Sequence, residues 1–149
     1  MAIFEINLVI NRPIEEVFAF ISNPENQPSW RATTLEITRV SSEPLDVGSI
    51  VKGRFTFLGR PFEGSLEIMA LEPHRSYTAR MVEGPFPLEA RYTLEPAGSG
   101  TRLSLVIEGE PGGFFKLAEP LVVSLAKRSY EADLHNLKDM LEAQAVQAA

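Results

Sequence analysis

The sequence predicts an α+β fold, a curved antiparallel sheet of six to seven strands closed by one long C-terminal helix. Three features of its 149 residues carry that expectation. Apolar residues alternate with a period of two from Leu35 to Gly109, and the period returns to 3.6 beyond Pro111-Gly112-Gly113. Between the first strand-like run and that alternating stretch lie two short helical patterns.

Residues 3–10, IFEINLVI, read as a strand with Phe4, Ile6, Leu8 and Ile10 on one face. Asn11-Arg12-Pro13 stops it. Pro13 suits the first helical position, and Glu15 and Glu16 complement the positive end of a helix. Ile14, Val17, Phe18 and Ile21 recur at helical spacing, which predicts a short amphipathic helix over 13–21. Asn23-Pro24-Glu25 repeats the start signal and predicts a second brief helix ending near Trp30.

Strand-like runs follow at 34–42, 49–58, 61–72, 75–83, 86–96 and 101–109, separated by turn formers such as Gly59-Arg60-Pro61, Pro73-His74 and Gly98-Ser99-Gly100. Phe62, Gly64, Leu66, Ile68 and Ala70 oppose Glu63, Ser65 and Glu67. Phe86, Leu88, Ala90, Tyr92 and Leu94 oppose Glu89, Arg91 and Glu95. One face is thus wet and the other covered, the antiparallel pattern, and the short loops predict consecutive hairpins.

In the last segment Leu117, Leu121, Leu125, Leu134, Leu137 and Leu141 lie close to one stripe, joined by Phe114, Ala118, Val122 and Tyr130. Lys127, Arg128, Glu131, Asp133, Lys138 and Glu142 mostly take the other side. Pro120 either opens the main helix or kinks a longer one, and a start at Pro120 is preferred. A helix over 120–145 spans about 39 Å at ~1.5 Å per residue. A large sheet twists and curves, whereas a helix is only about 10 Å wide. One helix cannot fill the concave side, so large side chains or a ligand must take the remaining space.

Composition narrows the function. The 44% apolar and 23% charged fractions are those of a globular protein, and residues 1–149 read as one domain without linker or repeat. A net charge of −6 with scattered basic residues argues against nucleic-acid binding. No apolar run approaches the ~20 residues of a membrane span. The start MAIFEINLVINRP has no basic region and Glu5 interrupts its apolar run, so no secretory signal is expected, and a cytoplasmic location fits. Zero cysteines remove disulfides, thiol nucleophiles and thiolate metal sites. His74 falls in a turn and His135 among charged helical neighbours, with no metal-ligand spacing around either. No G-x-S-x-G elbow occurs, and Gly98-Ser99-Gly100 lacks the following helix of a phosphate loop. Glu63, Glu67, Arg91 and Arg102 alternate onto the wet face; Arg80, Glu83 and Glu108 would be redirected by a bulge near the rim. Tyr77 and Tyr92 fall on the inner faces, where a buried phenol needs a partner and an inward polar group orients a ligand.

Three stretches carry a family resemblance: RPIEEVFAFISNPENQPSW (12–30), VGSIVKGRFTFLGRPFEGSLEIMALEPHRSYTAR (47–80) and YTLEPAGSGTRLSL (92–105) with the helix that follows. They resemble the START-like, helix-grip superfamily, in its polyketide cyclase/dehydrase branch, over nearly the whole chain. The resemblance implies a container for lipids, polyketides, hormones or hydrophobic cofactors, without a universal catalytic motif. The matched residues are mostly structural: Pro13 starts a helix, Trp30 caps the helical segment, and Gly48 and Gly59 turn the chain. It also implies that Trp30 lies near the pocket rim, as ligand contact or as packing plug.

The expected function is binding or transport of a small hydrophobic or aromatic molecule between sheet and C-terminal helix. The alternatives are an aromatase/cyclase- or dehydrase-like enzyme acting on a polyketide-like substrate, and a protein-interaction module with a vestigial cavity. The residues expected to meet the ligand are Trp30, Phe55, Phe57, Tyr77, Met81, Leu88 and Tyr92, with Phe114, Leu117 and Leu121 from the C-terminal segment. Segment 111–119 is a candidate flap, with Phe114 and Phe115 guarding entry. The pattern implies no metal and no cofactor, and it leaves a homodimer through an edge strand or the final helix open.

Overall fold

The alternating stretch folds as a meander. In the computed structural model, which describes residues 2–40, 45–57, 59–84, 88–109 and 120–148, seven antiparallel strands form one sheet. They are β1 (Ala2–Ile10), β2 (Thr34–Val40), β3 (Ile50–Phe57), β4 (Arg60–Glu72), β5 (Ser76–Glu83), β6 (Leu88–Ala97) and β7 (Gly100–Gly109). Their order is β1-β7-β6-β5-β4-β3-β2, so β1 returns beside the last strand and leaves β1 and β2 as the edges.

The connection from β1 to β2 carries the short helices. In α1 (Ile14–Ile21) the Pro13 carbonyl accepts from the Val17 N–H at 3.2 Å, which places Pro13 just ahead of the first turn. Val17, Phe18 and Ile21 face the core. Asn23 then accepts from the Glu25 N–H at 3.1 Å and opens a 3-10 turn (Pro24–Asn26) that runs into α2 (Gln27–Trp30).

Paired glycines and register shifts interrupt the regular pattern around β3 and β4. Gly53 and Gly64 stand opposite each other in β3 and β4, and a Cβ on Gly53 would lie 2.5 Å from the Glu36 carbonyl oxygen. The Phe55 ring packs against both glycines, 3.3 Å from where either Cβ would sit. In β4 the register against β5 shifts at Ser65/Leu66 and again at Ile68/Ala70. These bulges overturn strict alternation there. Ser65, expected on the wet face, is buried and donates to Glu83 Oε1 at 2.8 Å. Ala70, expected on the core face, yields that side to Leu71, which sits opposite Tyr77 and packs on the core.

The final helix, α3, is described over Pro120–Ala148, 29 residues. Its Leu134, Leu137 and Leu141 are buried. Lys138 Nζ donates to the Val9 carbonyl at 2.7 Å, and Glu142 Oε2 accepts from the Asn11 N–H at 2.8 Å, tying this half to the end of β1. Lys138 and that backbone donor hold the Glu142 carboxyl below its usual pKa.

The expected leucine stripe is only half correct. Leu121 and Leu125 are 70% and 42% exposed. At about 100° per residue, the nine steps from Leu125 to Leu134 turn the side chain half-way round the helix. Asp133, expected on the outer side, stands about 40° round the helix from Leu137, on the flank of the inner face, and it is 3% exposed. Segment 111–119, with its proposed flap, lies outside the described residues.

Leu137→Ala should therefore lower the unfolding free energy by about 2–5 kcal/mol, whereas Leu121→Ala should stay within about 0.5 kcal/mol of the parent. Urea titrations check both, with the slope unchanged in each.

Candidate functional site

The narrow helix leaves a cavity of about 280 Å³ between the concave face and the first half of α3. Each strand that crosses the concave face contributes side chains in steps of two. Phe55 and Phe57 come from β3, Tyr77 and Met81 from β5, and Leu88 and Tyr92 from β6, while Trp30 closes the wall from α2. All seven were expected at the pocket, and all seven line this cavity. Phe114 and Leu117 lie outside the described residues. Leu121 is exposed and forms no part of the wall. A separate recess of about 20 Å³ shares Phe57, Leu88 and Ile107 with this wall and is lined by Val122 and Val123 of α3.

The remaining apolar wall is Ile21 from α1, Ala32, Phe62, Leu66, Ala79, Ala90 and Ile107, with Ala126 and Tyr130 from α3. Rings meet at one end of it. Tyr77 and Tyr92 stack at 5.9 Å, and Trp30 meets Tyr92 edge-on at 6.5 Å.

That end is also polar. Arg31 follows Trp30 at the close of α2 and reaches the cavity, with its guanidinium 5.0 Å from the centre of the Tyr130 ring. Its Nη2 donates to Thr33 Oγ1 at 3.1 Å. Behind it, Asp133 Oδ1 accepts the Ala32 N–H at 3.0 Å, and Asp133 Oδ2 stands 3.7 Å from Arg31 Nε. That separation is an ion pair and too long for a hydrogen bond. Gln27, also on the wall, is buried and accepts from Thr34 Oγ1 at 3.1 Å. Trp30 Nε1, Arg31 Nε, Tyr77 Oη and Asp133 Oδ2 are buried without a hydrogen-bond partner among the described residues.

Burial governs the titration of this cluster. It raises the Tyr77 phenol, with Tyr92 adding to the shift and Arg31 opposing it. It pushes Tyr92 up to about 12 against the pull of Arg31. Burial works against the charge of Arg31, but Tyr130, Tyr92 and Asp133 outweigh it and hold the guanidinium above its usual pKa. Asp133 is raised by burial, which the Ala32 N–H and Arg31 only partly offset.

Arg31, Gln27 and the inward Asp133 escaped the sequence reading. A signal existed for Asp133: it follows Tyr130 by three residues and precedes Leu137 by four, so a helix must bring it to the flank of the apolar face. His74 and His135 are exposed, and among the described residues no cluster of His, Asp and Glu has metal-binding geometry. Glu63, Arg91 and Arg102 are exposed and Glu67 is half-buried, away from the cavity wall.

This architecture can be compared with known proteins. A family model described as polyketide cyclase/dehydrase and lipid transport matches residues 1–142. The chain belongs to that family. Among solved structures, the Zhui aromatase/cyclase from Streptomyces sp. R1128 superposes with a TM-score of 0.76 at 14% identity, covering 95% of this chain and 94% of that one. Major latex-like protein 151 from Panax ginseng gives 0.72 at 16% identity, over 92% and 95% of the two chains. The di-domain ARO/CYC StfQ of the steffimycin biosynthetic pathway gives 0.71 at 13% identity, covering 95% of this chain. The chain spans only about half of that relative, 51% of its length. At these identities the likeness is one of fold. Curated proteins compared by sequence gave no match. Among the described residues no helix is long and apolar enough to cross a membrane.

Within this family fold, the two buried phenols make alkaline stability a reporter of the cavity. Both pKa values are raised on folding, so their contribution is complete below the ordinary value of 10.0 and is lost as pH climbs towards about 12. Stability should fall across that window, and Tyr77→Phe with Tyr92→Phe should flatten the fall. Denaturant melts at successive pH values, read by circular dichroism, check it.

Proposed function

We propose that the protein binds a small hydrophobic or aromatic molecule in the cavity beneath α3. One observation carries this reading. A family fold described for polyketide cyclisation and lipid transport keeps about 280 Å³ of space open, walled by aromatic and aliphatic side chains from five strands and three helices. Apolar walls with a few convergent polar groups are the usual composition of a small-molecule pocket. Phe55, Phe57, Met81 and Leu88 supply the apolar contact, and Trp30, Tyr77 and Tyr92 add ring faces at the polar end. A vestigial cavity would be expected to fill with side chains, so the open volume favours binding over a purely interacting module.

A second reading shares the same site. The family includes cyclase and dehydrase chemistry, and the Arg31–Asp133 pair lies at the polar end beside two tyrosines. An enzyme of this kind would hold a reactive oxygenated chain in a productive fold and move protons through Tyr77 and Tyr92. Replacing both tyrosines with phenylalanine should then abolish turnover of an aromatic polyketide-like substrate while binding persists.

For the binding reading, thermal melts against fatty acids, aromatic ketones and flavonoid-like polyphenols provide the test. A true ligand at a hundred times its Kd should stabilise the fold by about 2.7 kcal/mol. Ala90→Phe, which puts a ring into the cavity, should remove that response with the unliganded Tm nearly unchanged. A panel without any response would defeat the proposal.

A further inference from the structure

Two side chains of the cavity wall lie against glycine. The Phe55 ring covers Gly53 and Gly64, the facing pair in β3 and β4. A Cβ on Gly64 would meet two carbons of that ring, at 3.3 and 3.4 Å, and one on Gly53 would meet it at 3.3 Å. Met81 lies in the same way over Gly84, just beyond the end of β5, where a Cβ would stand 2.5 Å from its sulfur. Phe62 joins the two: its ring meets that of Phe55 at 5.8 Å and comes within 3.7 Å of the same point at Gly84. Phe55, Phe62 and Met81 therefore form one continuous face of the wall, on three neighbouring strands.

Glycine weakens a strand, since it brings no side chain to pack and loses more backbone freedom on folding. Its presence here needs a cause. Gly53 has one apart from the cavity, because a Cβ would lie 2.5 Å from the Glu36 carbonyl oxygen and hold β2 away from β3. Gly64 does not. The Glu83 carbonyl oxygen would be 3.0 Å from its Cβ, a contact relieved by a few tenths of an ångström. The remaining crowding falls on the Phe55 ring, which lines the cavity. A ring pressed from the backbone side has its free space in the lumen. At Gly84 the crowding falls on the flexible end of Met81, another lining residue.

Resting on the binding reading above, we infer that Gly64 and Gly84 determine specificity: by recessing Phe55 and Met81 they set how broad a ligand the cavity admits. They act through the side chains above them and are positioning residues for the wall. A methyl group at position 64 lifts the Phe55 ring into the lumen. It closes the space against a broad, flat molecule before it affects a narrow one. One methylene in an apolar pocket separates ligands by about 10- to 200-fold, so a single methyl suffices.

Gly64→Ala tests this in the full chain with two readouts. The first needs no ligand. In a crystal structure of the variant the Phe55 ring should stand further into the lumen, with β4 and β5 still paired. A ring left in place, with the Glu83 carbonyl displaced instead, would overturn the inference and leave the binding reading intact. The second readout is fluorescence titration with naphthalene and pyrene, a narrow and a broad hydrocarbon. Gly64→Ala should weaken pyrene by about tenfold or more and naphthalene by less than about threefold. Adding Phe55→Leu removes the displaced ring and should return pyrene to within about threefold of the parent. Equal losses for both probes, or a double variant that recovers nothing, would count against the inference alone. Where Gly64→Ala does not fold, as judged by circular dichroism, Gly84→Ala poses the same question at Met81, with Met81→Ala as its rescue. A parent protein that binds neither probe would defeat the binding reading and, with it, a ligand width set by these glycines.

Discussion

Leu134, Leu137 and Leu141 fix where the last helix lies, and the cavity is a consequence of that docking. These leucines occupy only the C-terminal half of α3, where Lys138 and Glu142 also reach the end of β1. The other half presents Val122, Val123, Ala126 and Tyr130 inward, side chains too small or too few to fill the concavity that β3 to β7 create. A curved sheet covered by a straight rod about 10 Å wide is tight at one end and open at the other. The packed end secures the fold and the open end holds the site, so one helix supplies both.

The polar end is a poor place to seek stability. Removing a charged pair from water is unfavourable unless its geometry compensates, and at 3.7 Å the Arg31–Asp133 pair forgoes the hydrogen bond that would do so. An unpartnered buried phenol is likewise unfavourable, by about 1–3 kcal/mol in general. Four such atoms, of Trp30, Arg31, Tyr77 and Asp133, belong to the wall or to the residue directly behind it, and a fifth, Arg12 Nε, lies at the packed end. Groups retained against the interest of stability are characteristic of a site shaped for recognition.

The sequence made most of this fold legible, because its signals were periodic. Alternation in the strands placed Phe55, Phe57, Tyr77, Met81, Leu88 and Tyr92 on the concave face, since a pleated strand leaves no other choice. It failed at Ser65 and Ala70, where bulges in β4 insert a residue without marking the sequence. It failed again at Leu121 and Leu125, for a different reason: leucines four apart look like a stripe locally but drift around the helix over longer spans. Asp133 was misplaced by its charge, as polarity was given more weight than angle. Arg31 was invisible because nothing in its neighbours announces that α2 ends by turning it inward. Buried polar residues break the very pattern by which burial is read.

The same helix that bears the leucine anchor also bears the site's second polar layer, and this joins occupancy to structure. Asp133 lies one residue before Leu134, so it cannot shift without disturbing the packed end. It holds the backbone of Ala32, and Asn136 donates to the Trp30 carbonyl at 3.3 Å, so the segment Trp30–Ala32 is pinned to α3 from two positions. Arg31 lies between these two attachments. Its reach into the cavity is set by the docking of the helix, and a ligand that engages it works against the rigid core and not against a loop. Recognition groups held in this way lose little conformational freedom on binding, so the ordering has already been met in folding. In the open half of α3 Leu121 and Leu125 face outward, and Tyr130 joins it to Phe4 at 5.6 Å and to Arg31 at 5.0 Å.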